Sequence, residues 1–467
     1  MTKINFAKIK KIHFIGIKGV AMSGLAVICS QRGLAVSGSD VPAKFITDAI
    51  LAAHGIKAFT NFSAANLQPP PDLAVIGTSW GAENEEVAYV MANKIPFVTD
   101  SELRGLLSRE KETVAVTGVH GKTTTTALVA YLFKQAGLAP SFLIGTGQVP
   151  DLGGNAAWQD GQHFIVEGDE YAKSKTDKTP KFLDLQPAIS IITSLEWEHV
   201  DVFRDLEAME VYFKKLAEIT KDLVVACGDW PSVKKIIAGV KVKTVTYGLQ
   251  IGNDYIAYDI RPEFDQTRFK VRQGKTELGE FTISLFGEHN VLNALATIIV
   301  GGRAGIGLEA IRKILPGFSG TQRRFEVKEN EGVVFVDDYA HHPTEINTTL
   351  KAIRSRYPDQ TIYCVFQPHT VSRTKALLND FSRSFADADY VYFADIFASA
   401  REQTSDFTSK DLAAATAKNH PQASYAGSLA DAEKILRQKI KPGAVIVTMG
   451  AGDVYLIRDT LLTENLC

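Results

Sequence analysis

The chain predicts an α/β protein built from several doubly wound, largely parallel sheets. Three observations carry that expectation. Three segments each begin with a β-branched run, pass through a glycine-bearing turn and continue as a helical pattern. Within each segment, strands then alternate with helical stretches, which favours a parallel sheet with helical crossovers. The third observation is the length of 467 residues. A single core stops growing near about 250–300 residues, so two to four domains are expected.

In order, the first segment opens as a strand over residues 12–17, turns through Gly16, Gly19 and Gly24, and continues as a helix over 25–31. Further strands are expected at 34–36, 73–76 and 96–98. A connection at 108–112 leads to a strand over 114–116, a tight turn over 117–121 and a helix over 127–133. Strands at 163–166, 189–193 and 223–226, a β-rich stretch at 241–286 and a helix at 290–301 complete the second segment. A Gly-Phe-Ser-Gly-Thr linker over 317–322 precedes the third, with strands at 333–337, 362–366, 390–393 and 445–449. The expected domains span residues 1–108, 109–318 and 319–467.

Composition narrows the partners. With 45% hydrophobic and 22% charged residues, the balance is that of a soluble globular protein. A formal charge of -2 gives no electrostatic reason to expect nucleic acid or an anionic membrane surface. No apolar run approaches the roughly 20 residues that span a bilayer, so no membrane insertion is expected. The N-terminus lacks an A-x-A-type cleavage site. Cys29, Cys227, Cys364 and Cys467 are far apart with no C-x-x-C pair, which argues against a disulfide framework and for a reducing, cytoplasmic location.

Chemistry concentrates at turns that follow strands. In the turn Thr117-Gly118-Val119-His120-Gly121-Lys122-Thr123-Thr124, backbone N–H groups and a helix start form a cradle for phosphate oxygens. Lys122 can reach the β- and γ-phosphates of ATP, and the Thr123 hydroxyl can ligate Mg²⁺. Position 116 is Val where the usual phosphate loop has Gly. Glu167-Gly168-Asp169-Glu170 follows the next strand, where a Mg²⁺ ligand belongs in an open α/β sheet. Three carboxylates this close repel one another unless a cation compensates them; the plainer reading is a solvated acidic loop. Glu198, His199 and Asp201, at another strand exit, suit a second metal ion or a proton path, against the alternative of a packed histidine.

Asn290 and Asn293 are one helical turn apart, so their amides share a face and suit a purine edge, although Asn290 reads equally as an N-cap. Arg323 and Arg324 suit bidentate contact with phosphate or carboxylate. Asp337, Asp338, His341 and His342 cluster at a strand end. Adjacent residues of an extended chain face opposite ways, which favours substrate positioning over metal ligation for the two histidines. Arg373, just after His369, is a candidate anion clamp, and the turn Met449–Asp453 is read chiefly as a connection. In the first segment, Gly16 and Gly19 resemble a dinucleotide fingerprint, with Asp40 placed 24 residues after Gly16 where a ribose would be read. Alone, that pattern suggests an NAD-dependent dehydrogenase.

Together the motifs resemble the Mur ligases, ATP-dependent amide-forming enzymes of peptidoglycan assembly. The resemblance rests on the phosphate loop through Thr125, on Gly287-Glu-His-Asn-Val-Leu-Asn-Ala294 and on Asp337-Asp-Tyr-Ala-His-His-Pro-Thr344, and it covers nearly the whole chain. It implies a Rossmann-like N-terminal domain for a UDP-sugar, a central P-loop ATPase-type domain and a Rossmann-like C-terminal domain for the amino acid. By that resemblance Gly16, Gly19, Met22, Ser23 and Asp40 bind UDP-N-acetylmuramate rather than NAD, with Lys18 and Ala21 where the family pattern has glycines. Lys122, Glu167 and His199 become catalytic, and Thr123, Glu167 and His199 hold Mg²⁺. Gly118, His120, Gly121, Lys122, Thr123, Thr124, His289, Asn290, Asn293, Arg324 and Asp338 bind ATP. His341, His342, His369 and Arg373 face the other substrates.

The stretch Phe318 to Phe325, Gln367-Pro-His369 and the turn to Asp453 resemble the L-alanine-adding branch of the family. Glu167 to Tyr171, with His199 following 32 residues after Glu167, resembles the branch that re-attaches the tripeptide L-Ala-γ-D-Glu-meso-diaminopimelate. The C-terminal domain captures the amine in this family, so L-alanine is expected, on a monomer or homodimer. The implied reaction activates the lactyl carboxylate as an acyl phosphate, which the amine then attacks. No nucleophilic side chain is required; positioning and charge neutralisation suffice.

Overall fold

The computed structural model describes residues 6–174, 176–198, 202–263, 265–397 and 406–463. Its first sheet contains β1 (Lys11–Ile15), β2 (Ala35–Ser39), β3 (Lys57–Phe59), β4 (Leu73–Ile76) and β5 (Phe97–Thr99), in the order 3-2-1-4-5 and parallel throughout. The first strand stops at Ile15 rather than running to residue 17, because Gly16 adopts a φ of +90° and turns the chain. The helix that follows begins at Val20, five residues earlier than its apolar pattern suggests. Gly24 sits inside it because a Cβ there would run into Leu143 and Ala156 of the second sheet.

The second sheet holds β6 (Glu112–Thr117), β7 (Ser141–Leu143), β8 (Ala156–Ala157), β9 (His163–Glu167), β10 (Ile189–Ile192), β11 (Leu223–Cys227), β12 (Lys243–Gly248), β13 (Tyr255–Pro262), β14 (Thr267–Gln273) and β15 (Thr276–Ile283). Its order is 15-14-13-12-11-10-6-9-7-8. β6 lies between β9 and β10, parallel to both, so the chain reverses its winding at the carboxyl end of β6. Such a reversal opens a crevice for ligand. Val114 and Val116 pack on one face and Ala115 on the other, in two separate apolar layers; burial on both faces is why this strand reads as an unbroken apolar run. The β-rich stretch becomes β12 plus an antiparallel meander, β13 to β15, that extends the same sheet.

The third sheet has β16 (Glu326–Asn330), β17 (Val333–Asp338), β18 (Thr361–Phe366), β19 (Tyr390–Ala394), β20 (Ala423–Gly427) and β21 (Ala444–Met449), ordered 16-17-21-18-19-20. Only the edge strand β16 is antiparallel. The architecture is thus α/β in three sheets with helical layers, as expected. The helix Asp100–Ser108, started by a Thr99/Glu102 capping box, lies against the turn Lys181–Asp184, where Gly105 passes close to the Asp184 carbonyl. Among the described residues, no helix is long and apolar enough to cross a membrane.

Candidate functional site

The phosphate loop forms because glycines take conformations that other residues resist. Gly118 has φ +124° and Gly121 φ +78°, and Gly121 stands at the N-cap of the helix Lys122–Gln135. A Cβ at Gly118 would collide with Thr193, and one at Gly121 with Asn293. The loop is pinned by the exit of β10: His120 N–H donates to Ser194 Oγ (2.7 Å), and Thr193 Oγ1 donates to Thr117 O (3.0 Å). Lys122 Nζ donates to Gly118 O (2.6 Å) and Val119 O (3.2 Å), and pairs with Glu170 Oε1 at 3.0 Å.

The three carboxylates after β9 do not converge, contrary to the crowding expected of them. Each finds its own partner. Glu167 accepts from Thr123 Oγ1 (3.1 Å) and Gly145 N–H (2.8 Å). Asp169 pairs with Arg104 at 2.8 Å, and Glu170 with Lys122. Burial pushes the Glu167 carboxyl above the usual range, Asp169 adds to this, and Lys122 opposes it. A buried carboxylate held against a threonine hydroxyl at a phosphate loop is a donor set that fits a divalent cation. His199, the other expected metal ligand, lies outside the described residues, as does Asp201.

A cleft opens beside the loop, lined by His120, Gly121, Thr124, Trp230, His289, Asn290, Asn293, Arg324, Asp338 and Glu345 among others. Asn290 is not the N-cap; Gly287 is, and the helix Glu288–Arg303 carries Asn290 in its first turn. Asn290 Nδ2 donates to Phe286 O (2.8 Å), Asn293 Nδ2 to Asn290 Oδ1 (3.0 Å) and Thr125 Oγ1 to Asn293 Oδ1 (3.0 Å). The two amides share a face, as their spacing predicts. Burial holds His289 neutral, with its pKa lowered to about 4. Burial lifts Asp338 to about 6 despite Arg324 and the N–H groups of Ala340 and Phe325. Glycines that a Cβ would block, a helix N-terminus and a cleft with paired amides together fit a nucleotide.

The paired arginines part company. Arg323 turns inward, pairing with Asp337 at 3.1 Å and donating to Gly450 O and Gly452 O (2.7 Å each). Arg323 thereby anchors the turn after β21. Arg324 lines the cleft and lies over the Tyr339 ring at 4.9 Å. Across the cleft, Arg373 pairs with Glu198 at 2.9 Å and His341 stands 3.6 Å from the same carboxylate. His369 stacks on Phe397 and meets the edge of His341. Contrary to the expected opposite facing, His341 and His342 both turn toward central-sheet carboxylates, His342 lying 3.3 Å from Glu196. The turn that precedes the helix Pro343–Arg356, capped by His342 with Glu345, brings them there.

His120 is the crossing point. Its Nδ1 donates to Glu345 Oε1 (3.0 Å), and its Nε2 to Glu196. Burial alone would discharge the ring, but hydrogen bonds to Glu196 and Glu345 outweigh it and raise its pKa to about 10. Glu196, Glu345, Arg104 and Trp230 were not foreseen as site residues. Glu345 had a legible signal, its capping-box spacing from His342, obscured because histidine is an unusual cap.

At the first sheet, Asp40 accepts from Lys18 N–H (2.8 Å) and Val41 N–H (2.8 Å), so it clamps the glycine turn itself. Ser23 Oγ returns to Val20 O (2.9 Å). Trp80 covers Gly16, and Met22 packs beside Gly19 and Gly77. These residues gather at the carboxyl ends of β1, β2 and β4.

Comparison with known proteins agrees with this geometry. Residues 11–112 match the model described as Mur ligase family, catalytic domain, residues 116–301 the Mur ligase middle domain, and residues 323–452 the Mur ligase, glutamate ligase domain. The chain is 39% identical to the UDP-N-acetylmuramate–L-alanine ligase of Desulfitobacterium hafniense over 97% of its length and 99% of that protein. It is 38% identical to the enzyme of that name from Alkaliphilus metalliredigens, covering 98% of each. A solved UDP-N-acetylmuramate–alanine ligase from Thermotoga maritima superposes with a TM-score of 0.82 at 26% identity, covering 97% of this chain and 98% of that one. A murein peptide ligase from Psychrobacter arcticus superposes at 0.75 and 25% identity, with the same coverage. Three sheets, a glycine phosphate loop and full-length similarity converge: the chain belongs to the Mur ligase family.

Proposed function

We infer that the chain is an ATP-dependent ligase that joins L-alanine to the lactyl carboxylate of UDP-N-acetylmuramate in peptidoglycan precursor synthesis, forming ADP. The observation that carries this reading is the 39% identity to a UDP-N-acetylmuramate–L-alanine ligase along 97% of the chain. Alternatives fall behind it. The dehydrogenase reading rests on Asp40 meeting a ribose, whereas both Asp40 oxygens hold the glycine turn through the N–H groups of Lys18 and Val41. The tripeptide-joining alternative has a lower structural similarity, 0.75 against 0.82.

ATP, when bound, supplies the phosphoryl group that activates the carboxylate. The chain's residues position and neutralise. The Gly118–Gly121 turn offers N–H groups to phosphate oxygens, and Lys122 offers a charge that exchanges Glu170 for phosphate. We assign Thr123 and Glu167 to Mg²⁺, with His199 as a further ligand. Asn290, Asn293 and His289 orient the base, and Arg324 faces the phosphates. Arg373 takes the amino acid's carboxylate, while Glu198 beside it faces the amine end. The turn from Gly16 to Ser23 receives the UDP diphosphate, held in shape by Asp40. We take residues 1–108, 109–318 and 319–467 as the three domains and the cytoplasm, where UDP-sugars and ATP are made, as the location.

An ADP-release assay with UDP-N-acetylmuramate and one of L-alanine, glycine, L-serine or the tripeptide decides the amine. L-alanine should give the highest kcat/KM. Tripeptide turnover above alanine turnover overturns the assignment, and ADP release without sugar nucleotide overturns the ligase.

A further inference from the structure

Beside the phosphate loop, the second and third sheets face each other across a cluster of imidazole and carboxylate side chains. Ligand atoms of His120, Glu196 and His342 all lie within 4.8 Å of one another. The two imidazole rings are 5.1 Å apart, and His342 Nδ1 is 3.3 Å from Glu196 Oε1. We propose that these three side chains form a site for a borderline-soft divalent cation of the Zn²⁺ class, which staples the third sheet to the phosphate loop.

The ligand chemistry argues for that class. Two imidazoles and one carboxylate, with a fourth position open, make a tetrahedral set. Mg²⁺ is harder, prefers oxygen and keeps its water, so this site differs in kind from the one at Thr123 and Glu167. The outer shell is already in place. Glu345 accepts Nδ1–H of His120 at 3.0 Å, which directs Nε2 at the ion, and Thr344 Oγ1 donates to Glu196 Oε2 at 3.2 Å. Carboxylate–histidine and hydroxyl–carboxylate contacts of this kind orient metal ligands.

A second observation is independent of the clustering. His342 is 5% exposed, and its Nε2 is buried with no hydrogen-bond partner. Burial, then the neighbouring His120 charge, keeps the His342 ring below the usual histidine range, so one ring nitrogen keeps its lone pair; Nδ1 now accepts a long 3.3 Å hydrogen bond from Thr344 N–H, which a cation would displace. His120 instead carries a proton between Glu196 and Glu345. Cation entry would balance as an exchange: the ion binds His120 Nε2 and the Nε2 proton leaves to solvent. One negative charge on the cluster of His120, Glu196 and Glu345 then becomes none. Because His120 and Glu196 belong to the second sheet and His342 to the third, the bound ion would tie the two together. The proposal does not depend on which amine the enzyme uses.

The test uses the full chain without nucleotide, titrated with Co²⁺ alone as a spectroscopic probe and with Zn²⁺ alone by calorimetry. One Co²⁺ should bind with strong tetrahedral absorption, be displaced by equimolar Zn²⁺ and resist a large excess of Mg²⁺. About one proton should leave per ion. Glu196→Gln and His342→Gln should each weaken binding at least about tenfold, with melting temperatures confirming that both fold. A weak octahedral spectrum, or a tetrahedral one that survives in either folded variant, overturns the site. If neither variant folds, the shifted imidazole N–H signals of the wild-type Co²⁺ form decide: two ligating rings support the site, and fewer overturn it.

Discussion

Lys122 Nζ and Glu170 Oε1 lie 3.0 Å apart, and the same ammonium donates to the carbonyls of Gly118 and Val119. The lysine is curled over its own loop, its charge answered by a carboxylate from the exit of β9. Lys122→Ala should lower the rate of ADP release by about 100-fold or more, the scale of losing one charge-stabilising donor. Calorimetry should find UDP-N-acetylmuramate binding nearly intact, because the turn from Gly16 to Ser23 proposed to receive it belongs to the first sheet. Equal loss of both would contradict the division of labour between sheets.

His120 links sheets through Glu196 and Glu345, and that link titrates. Its folded-state pKa is raised from 6.5 to about 10, so its stabilisation is fully present below pH 6.5 and is lost as pH rises through about 10. His120→Gln should cost on the order of 2 kcal/mol near neutral pH. Thermal melts of both proteins should converge as pH approaches 10; a constant gap would refute the charged link.

Asn293 receives Thr125 Oγ1 and donates to Asn290. Asn293→Ala removes the partner of Thr125 Oγ1 and of Asn290 Oδ1 at the wall of the cleft beside the loop. The KM for ATP should rise about tenfold, or about 1.4 kcal/mol, with the KM for L-alanine unchanged in steady-state assays. An unchanged ATP KM would remove the asparagines from base recognition.

Arg373 is buried against Glu198 at 2.9 Å. A planar, two-pronged guanidinium is not replaced by a point charge, so Arg373→Lys should raise the KM for L-alanine by about tenfold and leave that for ATP alone. Equal rises in both would mark a general packing defect.

Gly16 holds φ +90° beneath the Trp80 indole, which a Cβ would strike. Gly16→Ala should cost about 1–3 kcal/mol of stability and raise the KM for UDP-N-acetylmuramate more than that for ATP. Melting temperature and initial-rate kinetics check both halves.

The phosphate loop, Glu167 and the Asn290–Asn293 pair were legible in the residues because each is local. Strand, turn and helix follow one another within a few positions, and amides one helical turn apart share a face whatever surrounds them. Short or polar strands were harder: β3, β7, β8, β16 and β20 offer few apolar residues or a broken alternation, so little in their own residues marks them. The helix starting at Lys122 ran through four threonines, Thr123 to Thr126, whose weak helix preference was overridden by burial of all four.

By itself, then, the amino-acid order determined the α/β class, the Mur-type arrangement and the glycine loop ahead of Lys122. Only the tertiary structure decided which charges meet. His120 finds Glu345 across 225 positions and Glu196 across 76, Arg104 finds Asp169 across 65, and Asp40 is spent on its own turn. Local geometry propagates for a few residues, whereas the partners of a buried charge are set by the order in which strands lie side by side.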